Sequence, residues 1–529
     1  MVRRDGASRT GWRVARGRSC AKVSRLLAGR FPFIFPSSRP PVRTMPTRVR
    51  FAPSPTGLLH IGGLRTALYN VLLARNTGGT FVLRIEDTDQ ARFVPEAEAD
   101  ILESLRWAGL APDEGVGSGL DADGPHAPYR QSERTPLYHA AARTLLDAGH
   151  AYVAFDAPEA LDAMRERGET YSAATRGAMD NALSDADAAR RVAAGEAHVV
   201  RLKVEPGRTL AFSDLVRGDV SFATDGVDDA VLIKSDGLPT YHLANVVDDA
   251  AMAITHVVRG EEWLPSVPKH LLLYEALGLA PPAMAHLPLI LAPSGGKLSK
   301  RNADKAGIPV SVRDYIAAGY EPEALVNFLG LLGWNDGSDR EIYTLAEMAA
   351  AFSVDRIHHA GAKFDLAKLD WLNGQTLRAL PDAEIAARAR PHVEAAVGAV
   401  DDARLAEAVG LMRERLTFAR DLAAAAYLFA DPETYDEAGL AKRWKPDSAR
   451  MTALYADRLA VLPEFSSETA EAALRDLAEA EGAGFGAAVH PARLALTGVT
   501  AGAGLFETMA FLDRETCVRR LRTAAERLG

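Results

Sequence analysis

Two short stretches hold residues whose types and spacing suit phosphate chemistry. The first is His60-Ile61-Gly62-Gly63, which follows the turn-forming run Pro53-Ser54-Pro55-Thr56-Gly57 and leads into a helical pattern. A helix N-terminus offers free backbone N–H groups and partial positive charge, and glycine lets a flat base or a phosphate come close to the backbone. His60 stands just ahead, where its ring can donate a hydrogen bond to a phosphate oxygen. The second stretch is Gly295-Gly296-Lys297-Leu298-Ser299-Lys300-Arg301. Its cations beside paired glycines make a flexible loop that could close over a triphosphate and neutralise charge as pyrophosphate leaves. Taken alone, each has a plain alternative: a glycine turn with a surface histidine, and a solvated basic loop.

The elements that must hold these stretches can be read from periodicity. Residues 48–52 form a strand, stopped by the proline-rich turn. From Ile61 to Arg75 the apolar residues Leu64, Leu68, Val71 and Leu72 recur at helical spacing. Phe81-Val82-Leu83-Arg84-Ile85 is a second strand, ending in Glu86-Asp87-Thr88-Asp89, and Pro95 opens a helix through Trp107. Strand, helix, strand, helix at this spacing predicts a parallel sheet wound with helices. The stretch 131–230 changes character, with helices at 133–148 and 157–166, a polar Asp/Ala-rich stretch near 178–196, and a strand at Ala197–Leu202. It is read as an inserted domain. Sheet signals return at Ala230–Ile233 and Ile254–Val258, and beyond about residue 380 the pattern is almost wholly helical, with Ala403–Phe429 alone long enough for two or more segments.

Composition bounds the rest. A chain of 529 residues is too long for one core. No apolar run is long enough to cross a bilayer. Two cysteines, Cys20 and Cys517, exclude a disulfide framework and a thiolate-rich zinc site. Residues 1–44 carry ten Arg and one Lys against Asp5, a net of +10, which leaves −19 on the remainder. This basic, disordered-looking stretch is read as an over-long start ahead of Met45, against two alternatives: an organellar import segment and a nucleic-acid-binding arm.

Together and in this order, the two phosphate stretches resemble the paired signatures of class I aminoacyl-tRNA synthetases. Arg50-Phe51-Ala52-Pro53-Ser54-Pro55-Thr56-Gly57 resembles the opening of the glutamyl enzymes. So do Arg84–Asp89, Pro239–Asp249, Arg259-Gly260-Glu261-Glu262-Trp263 and Arg493-Leu494-Ala495-Leu496-Thr497-Gly498. The resemblance runs from about Thr47 to the C-terminus. It implies an α/β fold: a doubly wound parallel nucleotide-binding sheet (45–130 and 231–300) with an inserted α+β acceptor-stem domain (131–230). A stem-contact domain (301–378) and an all-α anticodon-binding region (379–529) follow. The ligand is expected at the carboxyl ends of the parallel strands, where the strand order switches.

The implied activity is ATP-dependent ligation of L-glutamate to its tRNA through a glutamyl-adenylate, with Mg²⁺ arriving on ATP. By the same resemblance, His60, Lys297, Lys300 and Arg301 are catalytic, and Gly62, Gly63 and Ser299 help hold ATP. Arg50 pairs with the side-chain carboxylate, assisted by Tyr241. Glu86 and Ser54 receive the ammonium, Asn245 and Arg259 hold the α-carboxylate, and Trp263 walls the pocket. Arg50 read without the family is a strand arginine paired to a nearby acid, and Trp263 a core aromatic. Some relatives carry a cysteine zinc knuckle in the insert, but Ala151–Asp156 has no thiol, so no zinc or other protein-bound metal is expected. Local basic faces for RNA include Arg356, His358 and Lys363, and Lys442, Arg443 and Lys445, none taken as a site. The expected protein is a cytoplasmic monomer, with no membrane partner. Two rivals stand beside it: an enzyme that also charges the glutamine tRNA, and a catalytically silent RNA-binding paralogue.

Overall fold

The structure, a computed structural model, describes residues 46–178 and 185–529. What was expected of residues 1–44, and of 179–184 in the polar stretch, lies outside the described residues. The chain divides into two compact units. One is made of the described residues through Tyr315 with Val326–Asp365, the other of Ile316–Leu325 with Leu366–Gly529.

In the first unit, β1 (Arg48–Phe51), β2 (Thr80–Leu83) and β3 (Glu114–Gly115) pair in parallel. Helix α1 (Ile61–Thr77) crosses from β1 to β2, and α2 (Ala97–Trp107) from β2 to β3. Proline at 95 sits ahead of the α2 cap, which is Glu96. The apolar period of α1 faces the sheet, burying Leu64, Leu68, Val71 and Leu72, and the helix ends where Gly78 turns left-handed at φ 62°. Each such leucine contributes about 1.5–3 kcal/mol on burial.

The insert begins with α3 (Thr135–Asp147), β4 (Ala151–Ala154), α4 (Pro158–Glu166) and α5 (Asp185–Ala193), and continues with β5 (Val199–Leu202). Next come the hairpin β6 (Thr209–Asp214) and β7 (Gly218–Ala223), then β8 (Val231–Ile233). Strands β4, β5 and β8 form an antiparallel sheet of their own. The chain then returns through α6 (Tyr241–Ala251), β9 (His256–Gly260), α7 (Val267–Ala276) and β10 (Ala283–Leu287). β10 pairs in parallel with β9 and with β6, so the hairpin, which sequence alone places in the insert, extends the sheet of β9 and β10. The two parallel sheets meet at β1 and β9, where Thr255 N–H donates to the Arg48 carbonyl at 2.9 Å. This is the doubly wound parallel sheet expected from the sequence, with strand order reversing at β1. Beyond it, β11 (Ile290–Leu291) pairs with β12 (Ala362–Lys363), and α8 (Lys300–Ala306) follows the basic loop.

The second unit is helical from Leu366 to its end, apart from connecting turns. Its core gathers Leu405, Leu422, Tyr455, Leu474, Leu496 and Leu521, all fully or nearly fully buried. Buried Arg520 satisfies loop and helix-end carbonyls, donating to Tyr427 O at 2.7 Å and Leu496 O at 2.9 Å. Cys517 is buried here, and burial pushes its thiol up to about 12. None of the described helices is long and apolar enough to cross a membrane.

Candidate active site

A cavity of about 620 Å³ opens at the carboxyl ends of the parallel strands. Residues 50–54 reach it from β1, Glu86 from β2, residues 258–260 from β9 and 288–290 from β10. Its wall includes Arg50, Ser54, His60, Gly62, Gly63, Glu86, Tyr241, Asn245, Arg259, Trp263, Lys297 and Ser299. Arg301 lies outside that wall, exposed on α8. Lys300 opens α8, but its side chain is not among the described residues.

The first phosphate stretch is pinned by its own side chain. His60 is extended (φ −90°, ψ 158°) and caps α1, its Nδ1 accepting from Gly63 N–H at 3.0 Å. Buried Asp100 accepts from Leu59 N–H at 2.7 Å, and Ile61 N–H donates to Val310 O at 3.1 Å. A Cβ on Gly62 would meet the His60 ring at 3.0 Å and one on Gly63 would meet Leu59 at 2.8 Å. The glycines therefore make room for the folded-back turn itself. His60 keeps one edge in solvent, yet its dense surroundings lower its pKa by desolvation, with Glu262 raising it and Lys297 lowering it further.

In the second stretch, Gly295 and Gly296 adopt φ of 91° and 74°, and Ala292 N–H donates to Gly296 O at 2.9 Å. That is a tight left-handed turn, which glycine adopts without steric cost. It carries Lys297 to within 3.7 Å of the Glu262 carboxylate.

The floor of the cavity rests on a buried charge network. Arg50 Nε donates to Asp249 Oδ1 at 3.1 Å and Arg84 Nη1 donates to the same oxygen at 2.7 Å. Arg84 also reaches Glu86 at 3.1 Å and Asp248 at 3.7 Å, while Asp248 accepts from Arg134, Gln131 and Tyr138. Arg50 is thus paired to an acid and also on the cavity wall. Burial pushes Glu86 up, against the pull of Arg84 and Arg50. Asp249 behaves oppositely: burial pushes it up, but the two guanidiniums bring it below the usual carboxylate range.

At the other wall, Arg259 Nη1 donates to the Tyr241 hydroxyl at 2.7 Å, and the Trp263 ring leans on Tyr241 with centroids 4.3 Å apart. Trp263 remains 41 % exposed, so it is not packed away in the core. Tyr241 is therefore joined directly to Arg259, which sequence reading assigns to the opposite end of the substrate.

Sequence reasoning named no role for Arg65, Arg84, Asp249 or Glu262. Arg65 is buried in the wall and donates to the carbonyls of Leu332 and Pro288, tying α1 to two distant loops. The signal for Arg84 was present: a lone charge inside an apolar strand must have a buried acid. No local pattern marks Arg65. Of the candidate RNA-facing residues, Arg356, His358, Lys363, Lys442 and Lys445 are exposed and Arg443 is half-buried. Among the described residues, no group of three or more His, Cys, Asp or Glu is placed to hold a metal ion.

Comparison with known proteins bears on this geometry. Residues 46–371 match the model of the tRNA synthetases class I (E and Q), catalytic domain, and residues 384–525 match an anticodon binding domain. The chain is 44 % identical over 503 residues to the glutamate–tRNA ligase of Cytophaga hutchinsonii, spanning 90 % of this chain and 96 % of that one. It is 46 % identical to the same ligase of Porphyromonas gingivalis, over 91 % and 99 % of the two chains. A crystal structure of a glutamate tRNA ligase from Elizabethkingia meningosepticum, in complex with its amino acid, superposes with a TM-score of 0.86 at 39 % identity. It covers 92 % of this chain and all of that one.

Proposed function

The chain belongs to the class I tRNA synthetases of the glutamyl and glutaminyl branch, and on that premise we propose that it ligates L-glutamate to tRNA with ATP. What carries this reading is the charge on the cavity wall. Arg65 is spent on backbone carbonyls and Glu262 faces Lys297, which leaves two buried guanidiniums, Arg50 and Arg259, and the Glu86 carboxylate as the complement of a molecule with two carboxylates and one ammonium. Arg50 receives the side-chain carboxylate, and a guanidinium already held at Nε by Asp249 has little orientational entropy left to lose on binding. Glutamine is disfavoured because its amide would set donors against donors. Arg259 and Asn245 take the α-carboxylate, with Tyr241 fixing Arg259. Glu86 and Ser54 take the ammonium, whose charge pulls the raised Glu86 pKa down and favours the carboxylate. Trp263 closes the wall over Tyr241.

The α-carboxylate then attacks the α-phosphorus of ATP, forming glutamyl-adenylate and releasing pyrophosphate. Magnesium arrives on the triphosphate and neutralises part of its charge. No protein nucleophile is needed, so positioning and charge stabilisation provide the rate. His60, neutral and already hydrogen-bonded to its own helix end, stands where the triphosphate would lie. Lys297 exchanges Glu262 for phosphate oxygens, with Ser299, Lys300 and Arg301 on the same loop and helix. The terminal ribose of the tRNA then attacks the adenylate through its 2′ hydroxyl, and AMP leaves. The reading carries with it a monomer working in the cytoplasm.

The test is aminoacylation of tRNA(Glu) and tRNA(Gln), separately, with radiolabelled glutamate and ATP. Charging of the first alone gives a discriminating enzyme, and charging of both a relaxed one. A folded protein that charges neither overturns the proposal.

A further inference from the structure

Arg259 is buried, yet among the described residues no carboxylate forms an ion pair with it. What holds its Nε is a histidine. His286 lies directly across from Arg259 in the β9–β10 register, and Arg259 Nε donates to His286 Nε2 at 3.0 Å. On the far side of the ring, His286 Nδ1 is 2.6 Å from Asp214 Oδ2, with both side chains 0 % exposed. Asp214 closes β6, and its other oxygen, Oδ1, accepts from Val216, Arg217 and His286 N–H at 3.0, 2.9 and 3.2 Å.

The partners of this chain point to one hydrogen-bond polarity. Three backbone donors hold Oδ1, so the carboxylate meets the ring through Oδ2 as an acceptor. The ring proton therefore sits on Nδ1, and Nε2 presents its lone pair to the always-charged guanidinium. We propose that Asp214 and His286 are positioning residues that lock one imidazole tautomer and thereby aim Arg259 at the α-carboxylate of the amino acid. The inference rests on the reading that Arg259 binds that carboxylate.

The surroundings agree. Burial pushes the His286 pKa down, and Arg259 and Arg217 push it further, against the pull of Asp214, so the ring is neutral. His270 of α7, itself held neutral mainly by burial, approaches Arg259 Nη1 at 3.5 Å, and the Phe212 ring of β6 meets His286 edge-on at 6.4 Å. A purely structural histidine would need none of this polarity.

Three variants separate positioning from packing, read in steady-state charging of tRNA with the full chain. In His286→Gln the amide oxygen takes over the Nε2 acceptor role, so the KM for glutamate stays within about threefold of wild type. In His286→Phe the acceptor is lost at similar bulk, and that KM rises about tenfold or more while the KM for ATP holds. In Asp214→Asn the three backbone donors keep the amide oxygen. Its NH₂ then faces Nδ1, the proton moves to Nε2 against Arg259, and the glutamate KM rises again. Long-range ¹⁵N spectra of histidine-labelled protein are expected to show His286 as the Nδ1–H tautomer in wild type and Nε2–H in Asp214→Asn. A wild-type Nε2–H tautomer, or an unchanged glutamate KM in both His286→Phe and Asp214→Asn, overturns the relay, and the wild-type spectrum decides even where a variant fails to fold. A wild-type chain that charges no glutamate instead overturns the proposed function, and this inference with it.

Discussion

Replacing Asp249 by Asn tests whether the glutamate pocket and the fold share one support. The substitution keeps the shape and removes the charge that two arginines share, at 3.1 Å from Arg50 and 2.7 Å from Arg84. Arg50, Arg84 and Asp249 are 3 %, 0 % and 1 % exposed, so water screens little of the loss. At an effective dielectric of about 20, unit charges at these separations attract by roughly 5–6 kcal/mol each, or about 11 kcal/mol for the pair before desolvation offsets part of it. Arg84 retains Glu86 and Asp248, which recovers part of that. A net loss of about 3–5 kcal/mol is expected, the range for breaking a buried pair. At about 2.1 cal/mol/K per residue, a unit of this size shifts by about 1.5 °C per kcal/mol, so the low end lowers its melting temperature by about 5 °C. The assay is scanning calorimetry beside an exposed control, Asp447→Asn, whose Arg450 partner at 3.3 Å is half in solvent. The control is expected to shift by less than about 1 kcal/mol. Equal shifts for the two variants, with an unchanged glutamate KM for Asp249→Asn, would refute the reasoning.

Further outcomes follow from the site. Arg50→Gln is expected to lower kcat/KM for glutamate by about thirtyfold or more, since a buried charged hydrogen bond is lost; retained activity would mean that the side-chain carboxylate binds elsewhere. Lys297→Ala is expected to lower kcat by about a hundredfold with little change in the glutamate KM, as measured by tRNA charging at saturating ATP. His242 has its pKa pushed down to about 4, chiefly by burial and then by Lys269. Unfolded, it binds its proton near pH 6.5. Its contribution to stability is therefore complete above pH 6.5 and is lost as pH falls toward 4, by roughly 3 kcal/mol. In urea titrations the gap between wild type and His242→Gln should change across that window, and a constant gap would rule this out.

Much of the fold follows from local pattern. The apolar period of α1, the strand at Arg48–Phe51 and the helices flanking Ala151–Ala154 can be recognised from neighbours in sequence alone. What local pattern does not encode is pairing. Nothing in Thr209–Asp214 says that it will lie against β10, because a strand's partner is chosen by burial across the whole sheet. The candidate site divides in the same way. Arg50, Glu86 and Arg259 are legible because a family resemblance singles out their positions. Asp214, His286 and Arg65 act through residues far away in sequence, and a histidine in Ala-Met-Ala-His-Leu looks like any core histidine until its two partners are seen. Gly295 and Gly296 mark the loop in sequence, but not the left-handed turn that their positive φ angles make.

The hydrogen bond from Thr255 to Arg48 has a consequence for how the protein is made. At roughly 5–20 residues per second, a ribosome needs about 10–40 s to deliver Thr255 after Arg48. Throughout that interval one side of β1 lacks the neighbour that completes it, and Val49 and Phe51 await the sheet that buries them. The insert must emerge, and fold beside them, before the gap can close. Closing so long a loop is slow, and an open strand edge invites a stray chain to pair with it. A nascent chain paused in the insert is therefore expected to expose this edge, and slowing translation over that stretch should raise the aggregated fraction.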